Sequence, residues 1–206
     1  MRRLLILVFV TILFQAVFGQ KQKLGFNLAI GQMYYQTMKS STSIELQNIN
    51  GPKVNFDLIV SGKIAFTITD LKDSIYNITA SFQQLSSLTK LPFGGDISFT
   101  SDKKDEKDTF SNVLNAVIDK PFLIKMATLG KIVEIKDIDS IFEQALEKFP
   151  ELSLAQKLQF KGQFMQSFGE NVFKENLEMV TAIYSNNPVE KGDTWTIKRE
   201  FESRTK

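Results

Sequence analysis

Two side chains that carry much of protein chemistry are missing from this sequence: its 206 residues include no histidine and no cysteine. That excludes imidazole bases, Ser-His-Asp triads, thiolate nucleophiles, thiolate zinc sites and disulfides. Carboxylate and lysine chemistry remain. Two carboxylates about 5–10 Å apart across a cleft can hydrolyse a glycosidic bond, and Glu45, Glu134, Glu190 and Asp193 could supply them. Such a pair is defined in space, and no spacing here points to one. Lysine becomes a base only when buried, and no lysine sits in an apolar run. Asp102, Asp105, Glu106 and Asp108 are interleaved with Lys103, Lys104 and Lys107 and lack the glycine of a calcium loop; they read as a solvated loop. Asp70 and Asp73 read as turn formers. Leu91-Pro-Phe-Gly-Gly95 lacks the GK[ST] ending of a phosphate loop. The expectation is a protein with no catalytic residues, no metal ligands and no cofactor.

Charge and leader narrow the partners. Arg2 and Arg3 precede an apolar run from Leu4 to Phe18, and Val17 and Gly19 occupy small-residue cleavage positions. This is the layout of a signal peptide over residues 1–19, too short in its apolar part to span a bilayer, with the mature chain starting at Gln20. The chain has 25 basic and 23 acidic residues; loss of Arg2 and Arg3 leaves the two balanced. A neutral, interspersed surface argues against nucleic acid and against strong attachment to anionic lipid. The expected place is outside the cytoplasm, periplasmic or extracellular, with no transmembrane span after cleavage. Without disulfides, stability must come from the core. Phenylalanine, 18 residues against 4 Tyr and 1 Trp, is the aromatic that builds one.

The elements that would position any site follow from periodicity. Val54 to Thr69 alternates: Val54, Phe56, Leu58, Val60, Ile64, Phe66 and Ile68 share one face, with Gly62 as a gap. Period two over this length is an antiparallel strand with one buried face, and a bend is expected at Ser61-Gly62. Met33 to Ile49 reads as extended and Asn50-Gly51 as a turn. Tyr76, Ile78, Ala80 and Phe82 alternate in the next strand. A loop at Leu71–Asp73 would set Phe66 opposite Ile78 and Gly62 opposite Phe82. Ile97 to Thr100 is a short strand, and Phe122 to Ile135 a hairpin turning near Leu129-Gly130. Helices are expected after N-caps at Asp108, Asp137 and Ser153, the last with a capping box to Gln156. Leu154, Leu158, Phe164, Met165 and Phe168 would form the third stripe, with Gly169 as a left-handed cap. Residues 170–178 would add a helical turn or two. Met179 to Tyr184 and Thr194 to Phe201 read as returning strands, with Trp195 as a core anchor.

This order predicts the α+β class: a large curved antiparallel sheet of long strands with a helical insertion of two to four helices packed on one face or end. Residues 20–206 would form one domain lacking C-terminal strands. The apolar strand face is the surface that could carry function. Where the helices leave it open it becomes a cradle for a lipid or other apolar small molecule, with Phe56, Phe66, Ile78 and Phe82 as its ligand-binding candidates. Asn77-Ile-Thr79 matches a glycosylation sequon, relevant only in a eukaryotic secretory pathway, and reads rather as two polar positions on the outer strand face.

In order along the chain, Gly31-Gln-Met-Tyr-Tyr-Gln-Thr-Met38, Lys120-Pro-Phe122, Gly130-Lys-Ile-Val-Glu-Ile135, Phe149-Pro-Glu-Leu-Ser153, Gln163–Glu170 and Gly192-Asp-Thr-Trp195 resemble an uncharacterised family of exported envelope proteins common in the Bacteroidota. The resemblance implies a signal peptide, strand-helix-strand order and further strands beyond the point matching Trp195, so that this chain looks like the family's N-terminal part. It brings no catalytic residues. The function expected is non-catalytic binding of an apolar ligand or an envelope protein. The alternatives are a structural or protein-interaction module using a sheet edge or helix face and, more remotely, a carboxylate-based glycoside hydrolase.

Overall fold

The computed structural model describes residues 21–47, 51, 53–102 and 107–198. The signal-peptide reading, Asn50, Asp105, Glu106 and Phe201 lie outside them. The described residues form an α+β structure around an antiparallel sheet of six strands that does not close: β1 (Met33–Gln47), β2 (Lys53–Lys72), β3 (Ile75–Lys90), β4 (Ile97–Thr100), β5 (Pro121–Ala127) and β6 (Ile132–Lys136). The order is β1-β2-β3-β5-β6, and β4 pairs with the far end of β3. Four helices follow or interrupt the strands: α1 (Thr109–Val117), α2 (Ile138–Glu147), α3 (Leu154–Phe168) and α4 (Glu170–Thr181).

The β2–β3 register differs from the expected one. Phe66 pairs with Ala80, Ile68 with Ile78, and Gly62 with Leu85. Two features cause this: Asp73 and Ser74 both adopt left-handed backbone (φ 51° and 63°), a two-residue primed turn that matches strand twist, and the irregularity between Ile68 and Asp70 then brings Phe66 onto Ala80. The strands therefore run to Lys72 and Ile75. Register irregularities fall at Ile68/Asp70 and at Lys63/Ile64, the second one residue beyond the glycine where a bend was expected. Leu85, not Phe82, covers Gly62; its Cδ2 lies 3.6 Å from where a Cβ on that glycine would be.

Burial divides β2. Ile64, Ala65, Phe66 and Ile68 are buried, while Val54 and Phe56 to Val60 are only half-buried and Asn55 is exposed. The helices cover one half of the sheet and leave the other open. Over the covered half, phenylalanines link the layers. Phe82 packs on Phe122 and Phe173 at 5.0 and 5.6 Å between ring centres, Phe110 on Phe99 and Phe160 at 4.6 and 4.7 Å, and Phe142 stacks on Phe164 at 4.0 Å.

The helix caps depart from the expectation in part. Asp108 accepts from Ser111 N at 3.0 Å, and Ser153 and Gln156 form the capping box. Asp137 stands at the N-cap position of α2 with φ 80°; its carbonyl accepts from Ile141 N, but its side chain makes no cap bond. Gly169 is extended (φ −60°, ψ 160°) and not left-handed. Glycine is needed there because a Cβ would stand 2.8 Å from Met165 O. Leu154 and Leu158 are 74% and 61% exposed, so the core stripe of α3 is Phe160, Phe164 and Phe168 at four-residue spacing. Residues 170–181 are a full helix with Phe173 and Leu177 buried. Met179 to Thr181 finish it, and no strand forms over 182–198 beyond the single bridge Gln22–Val189. A short apolar run fits either period, and here the helical stripe begun at Phe173 prevails. Trp195 is 41% exposed, held by its Nε1 donating to Ile183 O at 2.9 Å, and is not a core anchor.

Candidate functional site

Two cavities lie between the sheet and α4, separated where Gln36 of β1 and Val180 of α4 line both. Their walls follow from sequence periodicity. Even-numbered residues of β1 and β2 face the helices, which brings Tyr34, Phe66 and Ile68 into one wall, and β3 and β5 add Ile78, Ile124 and Met126. Leu177 and Val180 of α4 form the opposite wall, and Phe26 and Leu28 of the N-terminal segment close one end. This first cavity has a volume of about 390 Å3 and no charged residue in its lining. The second, about 340 Å3, is lined by Met38, Val60, Ile64, Phe82, Leu85, Phe168 and Phe173 among others, and is more polar at its rim.

The N-terminal segment is held over the sheet by a buried hydroxyl. Tyr76 Oη donates to Phe26 O at 3.1 Å and accepts from Leu28 N at 3.0 Å. Phe26 N donates to Thr128 O at 2.7 Å, and the Phe26 ring meets Tyr184 edge-on at 5.2 Å. The far end of α4 is tied to the β5–β6 turn by Thr181 Oγ1, which donates to Gly130 O at 2.7 Å. A Cβ on Gly130 (φ 90°) would fall 1.8 Å from Thr181 O, so only glycine permits that approach. The N-terminal segment and α4 are thus both fixed by hydrogen bonds, and Val180 on α4 stands half in solvent.

Of the four candidate binding residues, Phe66 and Ile78 line the first cavity and Phe82 the second. Phe56 lines neither; it stands on the open half of β2 opposite Ile44. Tyr34, Phe26, Leu177 and Val180 were not singled out by the sequence. The β1 alternation was a usable signal for Tyr34, whereas the α4 wall was hidden by reading 179–184 as strand.

Of the carboxylates considered for hydrolysis, Glu45, Glu134 and Asp193 already have partners, and Glu45 and Glu134 stand on strands at opposite ends of the sheet order. Glu45 pairs with Lys53 at 2.6 Å on the β1–β2 hairpin. Glu134, on β6 at the other end of the strand order, lies between Lys125 and Lys136 at 2.8 and 2.7 Å. These two ammonium groups hold its carboxyl well below the usual range, at about 2. Asp193 accepts from Glu190 N at 2.9 Å within a turn. Asp102 accepts from Gln84 Nε2. Among the described residues no three His, Cys, Asp or Glu side chains are placed to hold a metal ion, and no helix is long and apolar enough to cross a membrane.

Residues 73–206, from the β2–β3 turn onward, match the family of unknown function DUF6263. The chain belongs to that family. An 89-residue stretch, 41% of this chain, is also 32% identical to the protein translocase subunit SecA of Thalassiosira pseudonana. The chain spans 9% of that relative's length, so the likeness is local. No solved structure matches. The family match covers β3 to β6, all four helices and the cavity walls that β3, β5 and α4 supply, but not β1, β2 or the segment bearing Phe26 and Leu28, which supply the other walls.

Proposed function

We propose that this member of the family is a non-catalytic exported protein that binds an apolar small molecule, such as a lipid acyl chain, between its sheet and α4. The observation that carries the reading is the first cavity: about 390 Å3, walled by Phe26, Phe66, Ile68, Ile78 and Leu177 and free of charged side chains. Its volume falls within the range of small-molecule sites, about 300–1,000 Å3. Tyr34, Gln36 and Thr181 place a few polar groups at its edge, the usual means of orienting an apolar guest. The apolar run Leu4–Phe18 behind Arg2 and Arg3 supports export to the periplasm or beyond, and the resemblance noted above supports an envelope setting.

The test is native mass spectrometry of protein purified from its exported fraction, followed by fatty-acid binding to delipidated protein. A non-covalent mass released as an apolar molecule is expected. Val180→Trp, on a half-exposed wall, should fill the cavity and abolish binding, while Leu123→Trp on the opposite sheet face should not. Ligand-free protein with no fatty-acid affinity, or equal binding by both variants, overturns the reading.

A second reading, a protein-interaction module using a sheet edge, is favoured by β1. Among the described residues it is an edge strand of 15 residues, well beyond the usual five or six.

A further inference from the structure

We infer that β1 is a self-pairing edge, through which two copies of the chain join their sheets antiparallel about a two-fold axis at Thr42. Edge strands present unpaired N–H and C=O groups, and natural proteins blunt long ones with charge, proline or a cover. Ile68 N donates to Gln32 O, and Gln32 aligns with Ile68 by continuation of the β1–β2 register. Even residues of β1 therefore bond to β2, and odd residues from Met33 to Glu45 point their backbone groups outward. No proline interrupts them, and only two charged side chains lie on the strand, Lys39 and Glu45.

Those two charges fix the register. Lys39 and Glu45 are both exposed and on the same face, and they stand symmetrically about Thr42. Antiparallel pairing centred on Thr42 sets each Lys39 opposite the second copy's Glu45, and the contact occurs twice. Pairing centred on either charged residue would oppose like charges, and centres one residue from Thr42 would set each charge against an uncharged polar residue: Ser43 and Thr37, or Gln47 and Ser41. Lys39 makes no ion pair among the described residues, whereas Glu45 already meets Lys53 at 2.6 Å. Pairing would extend this into a Lys–Glu–Lys chain across the interface. On the other face the same register sets Met38 opposite Leu46 of the second copy, and Leu46 is 55% exposed. It also joins the open strips Ile44, Phe56 and Leu58, which the helices leave half-buried. The ladder runs from Thr37 to Gln47, so Tyr34 and Gln36 at the first cavity lie outside it, while Met38 of the second cavity lies within it. The inference does not depend on ligand binding.

The test uses the full mature chain in sedimentation equilibrium over a wide concentration range, with circular dichroism as the check on folding. A monomer–dimer equilibrium is expected. Lys39→Glu alone or Glu45→Lys alone should raise the dimer dissociation constant about tenfold or more, because each creates two like-charge contacts. The double reversal should return it to near the wild-type value. Since the chain has no cysteine, Thr42→Cys provides a second readout: directly opposed, non-hydrogen-bonded residues have Cα atoms about 4.5 Å apart, within disulfide reach, so oxidation should give a covalent dimer. A monomer at every concentration with no cross-link overturns the inference. So does a dimer indifferent to both charge reversals.

Discussion

The hydroxyl of Tyr76 donates to the carbonyl of Phe26, 50 residues earlier in the chain, at 3.1 Å. One buried side chain on the central strand β3 thereby fastens the segment that closes the apolar cavity. Cavity, clip and family-matched scaffold are joined at this point, because Tyr76 lies within the matched region and Phe26 outside it.

Tyr76→Phe should lower stability by about 1–3 kcal/mol, since Phe26 O and Leu28 N lose a partner in a partly buried site. It should weaken binding of an apolar probe more than its stability loss alone would. Denaturant unfolding and probe titration of the same variant check both, and unchanged affinity would separate the clip from the cavity.

Gly130 and Gly31 both have positive φ, 90° and 82°, but only Gly130 is crowded. Gly31→Ala should cost about 1–2 kcal/mol for left-handed backbone. Gly130→Ala adds a Cβ 1.8 Å from Thr181 O, so α4 must move. It should melt well below Gly31→Ala in a thermal scan.

Phe164 stacks on Phe142 with no exposed surface, while Leu158 on the same helix is 61% exposed. Phe164→Ala should cost about 3–5 kcal/mol, and Leu158→Ala within about 0.5 kcal/mol. Equal losses in urea unfolding would contradict the packing of α3.

Asp108→Ala should cost about 1 kcal/mol, because it removes the acceptor for Ser111 N. Asp137→Asn should cost clearly less, since Asp137 caps nothing by its side chain and asparagine tolerates its left-handed backbone. Chemical denaturation of the two variants compares them directly.

Glu134 sets a pH-dependent contribution of known sign. Its carboxyl is held down to about 2 by hydrogen bonds from Lys125 and Lys136. A depressed value favours the folded state in full above the unfolded carboxylate value, near 4.3, and that contribution drains as pH falls toward 2. Wild type should therefore melt slightly above Glu134→Gln at pH 6, with the gap closing by pH 2. The gap is small because the group is at the surface, and added salt should shrink it.

Much of the sheet was legible from residue order. The alternation of Val54–Ile68 and Tyr76–Phe82 identifies β2 and β3, and the Ser153/Gln156 pair marks the start of α3. Register was not legible. Asp73-Ser74 is not a strong primed-turn sequence, so neither the tight turn nor the irregularity at Ile68/Asp70, which together move Phe66 from Ile78 to Ala80, left a local trace. The same holds for Leu154 and Leu158, whose type says core while α3 meets the sheet layer through Phe160, Phe164 and Phe168.

By itself the sequence determined the α+β class, the strand faces and the absence of histidine and cysteine chemistry, because these follow from composition and from periods of two and 3.6 residues. Tertiary structure alone decided which apolar positions meet. The helices cover Ile64–Ile68 and leave Val54–Val60 open, and α4 stands off the sheet far enough to leave a cavity at Phe66 and Ile78. Both depend on long-range packing of segments such as Phe26 on Tyr76 and Thr181 on Gly130, and no local pattern encodes those distances.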